Sequence, residues 1–251
     1  MTSFLCAPRI GRFHIVAVAA TILLCACSEP QPPAQSDSRP DLTRAQSNSA
    51  EPADSTTPGS SPVKVLFFGD SITAGYGLQD ETDAFPFVFE RIAVENGFDV
   101  DITASGNSGE TTAGGLRRID WVMRTPYDVV VIELGGNDGL RGVPASNARA
   151  NLAAIVRKVR EHAPNSTVVV AGMRLPPSMG AAYVGDFESI YEQVADDTGS
   201  KLLPFILQDV GGVSELNQRD GIHPTAKGHE IIGRNVWLFL KPILESTRVG
   251  S

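Results

Sequence analysis

From Val63 onward, short β-branched runs alternate with longer segments of helical periodicity, and this alternation confines the chain to a parallel sheet wrapped by helices. Strand candidates fall at residues 63–68, 98–104, 128–134, 167–172 and 201–206, and four of them hold near-continuous Val, Ile, Leu or Phe. Strands buried on both faces have that composition. Helical patterns occupy residues 85–96, 115–124, 146–162, 187–198 and 226–244. In the fourth, Phe187, Ile190, Tyr191 and Val194 recur at helical spacing and form one apolar stripe. The expected fold is α/β: a three-layer α/β/α sandwich on a mostly parallel five-stranded sheet. Ligands of such sheets gather beyond the carboxyl ends of the strands.

The first 62 residues do not share this pattern. Arg9 and Arg12 precede an apolar run at residues 15–24, shorter than the roughly 18 residues that cross a bilayer, so residues 1–26 read as a secretion signal. The run ends in Leu24-Cys25-Ala26-Cys27, which resembles the lipobox of bacterial lipoproteins. That resemblance implies cleavage before Cys27 and a lipid on it, anchoring the chain in the bacterial cell envelope. Ser28, where inner-membrane lipoproteins often carry Asp, points to the outer membrane and a periplasm-facing domain. Residues 28–62 hold seven of the seventeen prolines, one Leu and no aromatic residue. Such a segment cannot bury enough apolar area to offset its ordering entropy and is expected to be a disordered tether. The folded domain is then 63–251, one domain expected to act as a monomer.

The formal charge of −8 becomes −10 once the segment before Cys27, with Arg9 and Arg12, is set aside. An acidic domain of this kind is not expected to bind nucleic acid. The only cysteines of the chain are Cys6, Cys25 and Cys27, all ahead of the domain, so the domain has no disulfide, no thiol nucleophile and no cysteine-ligated metal.

Four motifs follow strand ends. Gly69-Asp70-Ser71 stands after the first strand, where a serine on a tight strand-to-helix turn presents its Oγ beside unpaired helix N–H groups. No Gly-x-Ser-x-Gly elbow occurs anywhere in the chain. Gly106-Asn107-Ser108-Gly109 follows the second strand; its glycines let backbone N–H groups approach a ligand, and Ser108 is a rival nucleophile. Gly136-Asn137-Asp138 follows the third, and Asn137 supplies a neutral side-chain donor. Asp220-Gly221-Ile222-His223 precedes the last helix and places a carboxylate three residues before an imidazole. Of the four histidines, His14 belongs to the signal and His162 to a helix end, leaving His223 with His229 as second candidate. Each motif alone also suits ordinary turn and capping chemistry.

Together, in this order, the four motifs resemble the GDSL esterase/lipase family, also called SGNH hydrolases, with a flavodoxin-like sheet. The strings Glu133-Leu134-Gly135-Gly136-Asn137-Asp138-Gly139-Leu140-Arg141-Gly142, Arg174-Leu175-Pro176-Pro177, Leu202-Leu203-Pro204-Phe205 and Asp220-Gly221-Ile222-His223-Pro224 resemble its multifunctional periplasmic acyl-CoA thioesterase/lysophospholipase/arylesterase branch. The resemblance implies Ser71 as nucleophile, Asp220 and His223 as its proton-transfer partners, and an oxyanion hole from the Ser71 amide, the Gly109 amide and the Asn137 side chain. It implies no metal or organic cofactor and small acyl ester or thioester substrates. Leu175 and Pro176 are expected to line the acyl pocket. A carbohydrate O-deacetylase and a catalytically inactive binding lipoprotein are the alternatives. The lipobox and the continuation Pro144-Ala145-Ser146-Asn147 depart from the branch, and the latter leaves acyl-length preference open.

Overall fold

The computed structural model describes residues 61–249. The readings of the signal, of Cys27 and of the tether up to residue 60 lie outside the described residues. Five strands form one sheet: β1 (Val63–Gly69), β2 (Val100–Gly106), β3 (Val129–Glu133), β4 (Thr167–Ala171) and β5 (Lys201–Leu203). They run in the order β2-β1-β3-β4-β5, every pairing parallel. Val65 to Phe68, Val129 to Ile132 and Val168 to Ala171 are buried without alternation, as expected of strands covered on both faces.

Around the sheet lie α1 (Ser71–Ala74), α2 (Phe85–Glu95), α3 (Thr112–Val122), α4 (Gly136–Leu140), α5 (Ala145–His162), α6 (Ala181–Thr198) and α7 (Ala226–Val249). Helices α2 and α7 pack on each other, while α3, α5 and α6 form a second row. Right-handed crossovers put these rows on opposite faces, because the chain steps from β1 to β2 in one direction and back past β1 to β3 in the other. The stripe Phe187, Ile190, Tyr191 and Val194 is buried. Among the described residues no helix is long and apolar enough to cross a membrane.

That reversal leaves a crevice at the carboxyl end of β1, where such folds bind ligands. Register sharpens it. Gly69 pairs with Gly106 on one side and Glu133 on the other, so the three strands end level and their loops emerge side by side.

Several boundaries differ from the sequence reading. β2 starts at Val100, not at residue 98: Phe98 closes the end of α2 through its N–H to the Ala93 carbonyl and packs on Trp237. β5 stops after Leu203 because Pro204 has no N–H with which to extend the ladder. α6 begins at Ala181, ahead of the apolar stripe, and its Tyr183 hydroxyl donates to the Val143 carbonyl at 2.8 Å. The short α1 and α4 carry too few residues for any periodicity to register.

Candidate active site

Ser71 opens α1 directly after β1. The preceding Asp70 caps that helix, its Oδ1 accepting from the Ile72 N–H at 3.0 Å. Glycine is required at the strand end: a Cβ on Gly69 would lie 2.1 Å from Thr73 Oγ1 and 2.4 Å from Glu133 Oε2. The turn therefore stays tight, and Ser71 is 8% exposed.

His223 Nε2 lies 3.0 Å from Ser71 Oγ, across 152 residues of sequence. Its Nδ1 lies 2.7 Å from Asp220 Oδ2, while Asp220 Oδ1 accepts the Ile222 and His223 N–H groups at 2.9 and 3.0 Å. Partial desolvation pushes the Asp220 carboxyl upward, but the imidazole and those two amides outweigh it and hold the group down at about 2. The carboxylate thus stays ionised opposite the imidazole, the arrangement that fixes the tautomer able to take a proton at Nε2. The His223 loop is tied to the serine side of the crevice. Gln218 Nε2 donates to the Tyr76 carbonyl at 2.7 Å and to the Pro224 carbonyl at 3.0 Å, and the Tyr76 ring lies 4.6 Å from the imidazole.

The rival residues lie elsewhere. Ser108 is exposed on the loop after β2, and the serine hydroxyl that meets His223 Nε2 is that of Ser71. His229 is fully buried in α7; its Nδ1 accepts the Phe85 N–H that starts α2, at 3.2 Å. His162 is engaged at a helix end with Asp120 at 3.2 Å.

The loops after β2 and β3 converge on the same place. Gly109 has φ +78°, a left-handed conformation that costs glycine nothing, and its carbonyl accepts from the Arg141 guanidinium at 3.0 Å. Asn137 Nδ2 donates to Asp70 Oδ2 at 2.9 Å, which leaves its second N–H for another acceptor. Arg141 reaches Asn137 Oδ1 at 3.5 Å, so one guanidinium joins both loops. Below them, buried Asp138 accepts the Thr112 N–H at 2.7 Å and its hydroxyl at 2.6 Å, linking α4 to the first turn of α3.

This combination of level strand ends and a Ser–His–Asp chain has relatives of known kind. Residues 67–231 match the GDSL-like Lipase/Acylhydrolase family. The chain belongs to that family. Over 181 residues it is 39% identical to Esterase TesA of Pseudomonas aeruginosa, covering 72% of this chain and 89% of that protein. It is 37% identical over 163 residues to an Arylesterase of Vibrio mimicus, covering 64% of this chain and 80% of that protein. Among solved structures it resembles the psychrotrophic esterase EstA from Pseudoalteromonas sp., inhibited by monoethylphosphonate. That match has a TM-score of 0.68 and 32% identity, and covers 72% of this chain and 98% of that one.

A cavity of about 540 Å³ adjoins Ser71, Asn137 and His223 in this GDSL-type hydrolase. Leu140, Met173, Leu175, Pro176, Phe205 and Ile222 supply most of its apolar wall, so both expected substrate-contact residues line it. Leu175 is fixed from behind: a Cβ on Gly139 would fall 2.3 Å from its Cδ2. Among the described residues no group of three or more His, Cys, Asp or Glu is placed to hold a metal ion.

Two buried carboxyls under Ser71 have no sequence signal beyond their strand-end position. Glu133 Oε2 accepts the Thr73 hydroxyl at 2.8 Å, the Asp70 N–H at 3.2 Å and the Thr73 N–H at 3.3 Å. Burial, and then the charge of Asp70, push Glu133 well above the usual carboxyl range. Burial also raises Asp70, to about 6, against the pull of hydrogen bonds from Ile72, Asn137 and Ser71. A neutral Glu133 under the α1 turn avoids stacking two negative charges beneath the serine.

Proposed function

We propose that the chain hydrolyses carboxylic esters or thioesters of acyl substrates through an acyl-enzyme on Ser71, with His223 as general base and acid and Asp220 as its orienting partner. The support is one geometric fact: the continuous chain Ser71 Oγ to His223 Nε2 at 3.0 Å and His223 Nδ1 to Asp220 Oδ2 at 2.7 Å. In the first step Oγ attacks the carbonyl carbon while its proton passes to Nε2. The negative charge that forms on the carbonyl oxygen is received by the Ser71 amide, the Gly109 amide and the free N–H of Asn137. Collapse expels an alcohol or thiol, which takes the proton from Nε2. Water then gives its proton to the same nitrogen, attacks the acyl-enzyme, and releases the carboxylic acid as Ser71 regains its hydrogen.

The apolar wall carrying Leu175 and Pro176 supports an acyl chain as the bound group in preference to a sugar. Because the triad and all the donors come from one chain, a monomer suffices. We assign Cys27 the lipid anchor and residues 28–62 the tether, which gives a lipoprotein facing the periplasm from the outer membrane. Its signal is residues 1–26, as the lipobox-like sequence and Ser28 suggest.

The test is hydrolysis of acyl esters and thioesters of graded length by wild type and Ser71→Ala. Loss of at least about 10⁴-fold in kcat is expected for the variant. Wild-type turnover by purified Ser71→Ala excludes the assignment.

A further inference from the structure

Trp121 stands on the last turn of α3 and is 65% exposed. Helical spacing places Arg117 one turn before it and Arg124 one turn after it on the same outer face. The Arg124 N–H reaches the Trp121 carbonyl at 3.4 Å, so the turn carries through to that residue. Both arginines are exposed, and neither has a side-chain partner among the described residues. Asp120, the acid beside them, is already engaged by Lys158 at 2.5 Å and His162 at 3.2 Å from α5. Helices α3 and α5 pack together, and at their ends residues 117–124 and 157–162 carry six cations against Asp120 and Glu161, in a chain of net charge −8. Exposed Tyr76, Leu140 and Ile222 lie at the crevice, where a substrate covers them, but Trp121 is no part of that wall.

The chain turns from Arg124 into β3, and there Asp128 bonds to Lys64 in both directions. The Lys64 N–H donates to Asp128 Oδ2 at 2.8 Å, and the Asp128 N–H donates to the Lys64 carbonyl at 2.9 Å. Lys64 follows Val63, where the proposed tether enters the sheet. The Trp121 face and the tether's entry therefore share the end of the sheet opposite the crevice. Residues 28–62 span at most about 120 Å when extended, more than the roughly 40 Å width of a domain this size, so the tether by itself fixes no orientation. An acidic domain is repelled by an anionic bilayer except where unpaired cations face it. Arginine matches phosphate oxygens, and an exposed Trp ring suits the headgroup layer.

We infer that the face of Arg117, Trp121 and Arg124 docks the domain on the anionic bilayer surface into which the Cys27 lipid inserts, with the crevice turned away from that membrane. The inference rests on the lipid-anchor reading of Cys27 and adds an orientation: acyl substrates enter from the periplasm, not laterally from the anchoring leaflet.

The test places the full lipid-modified chain in vesicles of phosphatidylcholine with and without phosphatidylglycerol and reads quenching of tryptophan emission by brominated lipid. Trp237, the second tryptophan, is buried, so Trp121 supplies the signal. Quenching is expected with phosphatidylglycerol, is weaker in phosphatidylcholine alone, and falls with added salt. In Arg117→Gln/Arg124→Gln the docked-to-undocked ratio is expected to drop about tenfold or more, because each arginine near an anionic surface adds its own increment. Turnover of a short water-soluble ester should not change in that variant. Equal quenching in both lipids, or none in either, overturns the docking. So does a dimer of the detergent-solubilised chain that Trp121→Ser dissociates, since the face then belongs to a second copy. A chain whose Cys27 carries no lipid by mass spectrometry overturns the anchor and the docking with it, whereas an unquenched Trp121 in a lipidated chain leaves the anchor standing.

Discussion

Asp70 accepts a hydrogen bond from Asn137 at 2.9 Å, so the residue before the proposed nucleophile aims the side chain we assign to the oxyanion. Asp70 also accepts from the Ile72 N–H through its other oxygen. One side chain therefore couples the serine turn to the loop after β3, and only a carboxylate accepts on both sides at once.

Asp70→Asn keeps one acceptor and places an amide donor against the other partner. We expect kcat to fall about tenfold with KM little changed, because the oxyanion donor acts chiefly in the transition state. Added to Asn137→Ala, itself expected to cost on the order of 10²–10³ in kcat, the substitution should cost much less than it does alone. Full additivity in that double-mutant cycle would show that the two residues act separately.

Asp220→Asn preserves shape but allows the imidazole to take the wrong tautomer. A loss of about 10²–10⁴ in kcat is expected, the lower end being credible because the Asp220 side chain is 40% exposed. The folded carboxyl is depressed to about 2, so its contribution to stability is present above the unfolded value near 3.9 and is lost as pH falls toward 2. Thermal midpoints measured across pH 4 to 2 should fall more steeply for wild type than for Asp220→Asn.

Asp138→Ala removes the acceptors of both the Thr112 N–H and the Thr112 hydroxyl, which are buried against that carboxylate. A destabilisation of about 1–3 kcal/mol is expected in urea unfolding. Activity should fall too, since the same contact sets the loop of Asn137 against α3. Asp138→Asn, which retains an acceptor, should lie between alanine and wild type.

His229 gives the pH dependence of stability a distinct component. Burial, and then the charge of His223, lower it from an unfolded value of 6.5 to about 4, so between those limits the unfolded chain binds the extra proton. Stability therefore falls as pH drops from about 6.5 to about 4, by on the order of 3 kcal/mol from this group. Asp70, raised to about 6, acts in the opposite sense: it weakens the fold as pH rises from about 4 to 6. The informative quantity is thus wild type minus His229→Gln in urea unfolding at pH 7, 6, 5 and 4. A difference that does not change across that range contradicts a neutral, buried His229.

The amino-acid sequence by itself determined the architecture, because short β-branched runs such as Val129 to Ile132, alternating with helical segments, fit strands covered on both faces. Strand-end chemistry also marked Ser71, Asn137 and His223, since glycine-rich turns at those ends are visible locally. Ends of elements were less legible: Pro204 cut β5 short, and Tyr183 anchors an α6 that begins before its apolar stripe. Local spacing alone left two serines and two histidines in contention, and only the resemblance to the GDSL family favoured Ser71 and His223. The Gln218 side chain, bonded to the Tyr76 and Pro224 carbonyls, ties the His223 loop to the Ser71 side of the crevice, while Ser108 stays exposed and helix packing buries His229 against Phe85. Asp70, Glu133, Asp138 and Arg141 acquired their partners only in three dimensions. A carboxylate's burial and a guanidinium's acceptors depend on segments tens of residues away, and local spacing carries no record of them.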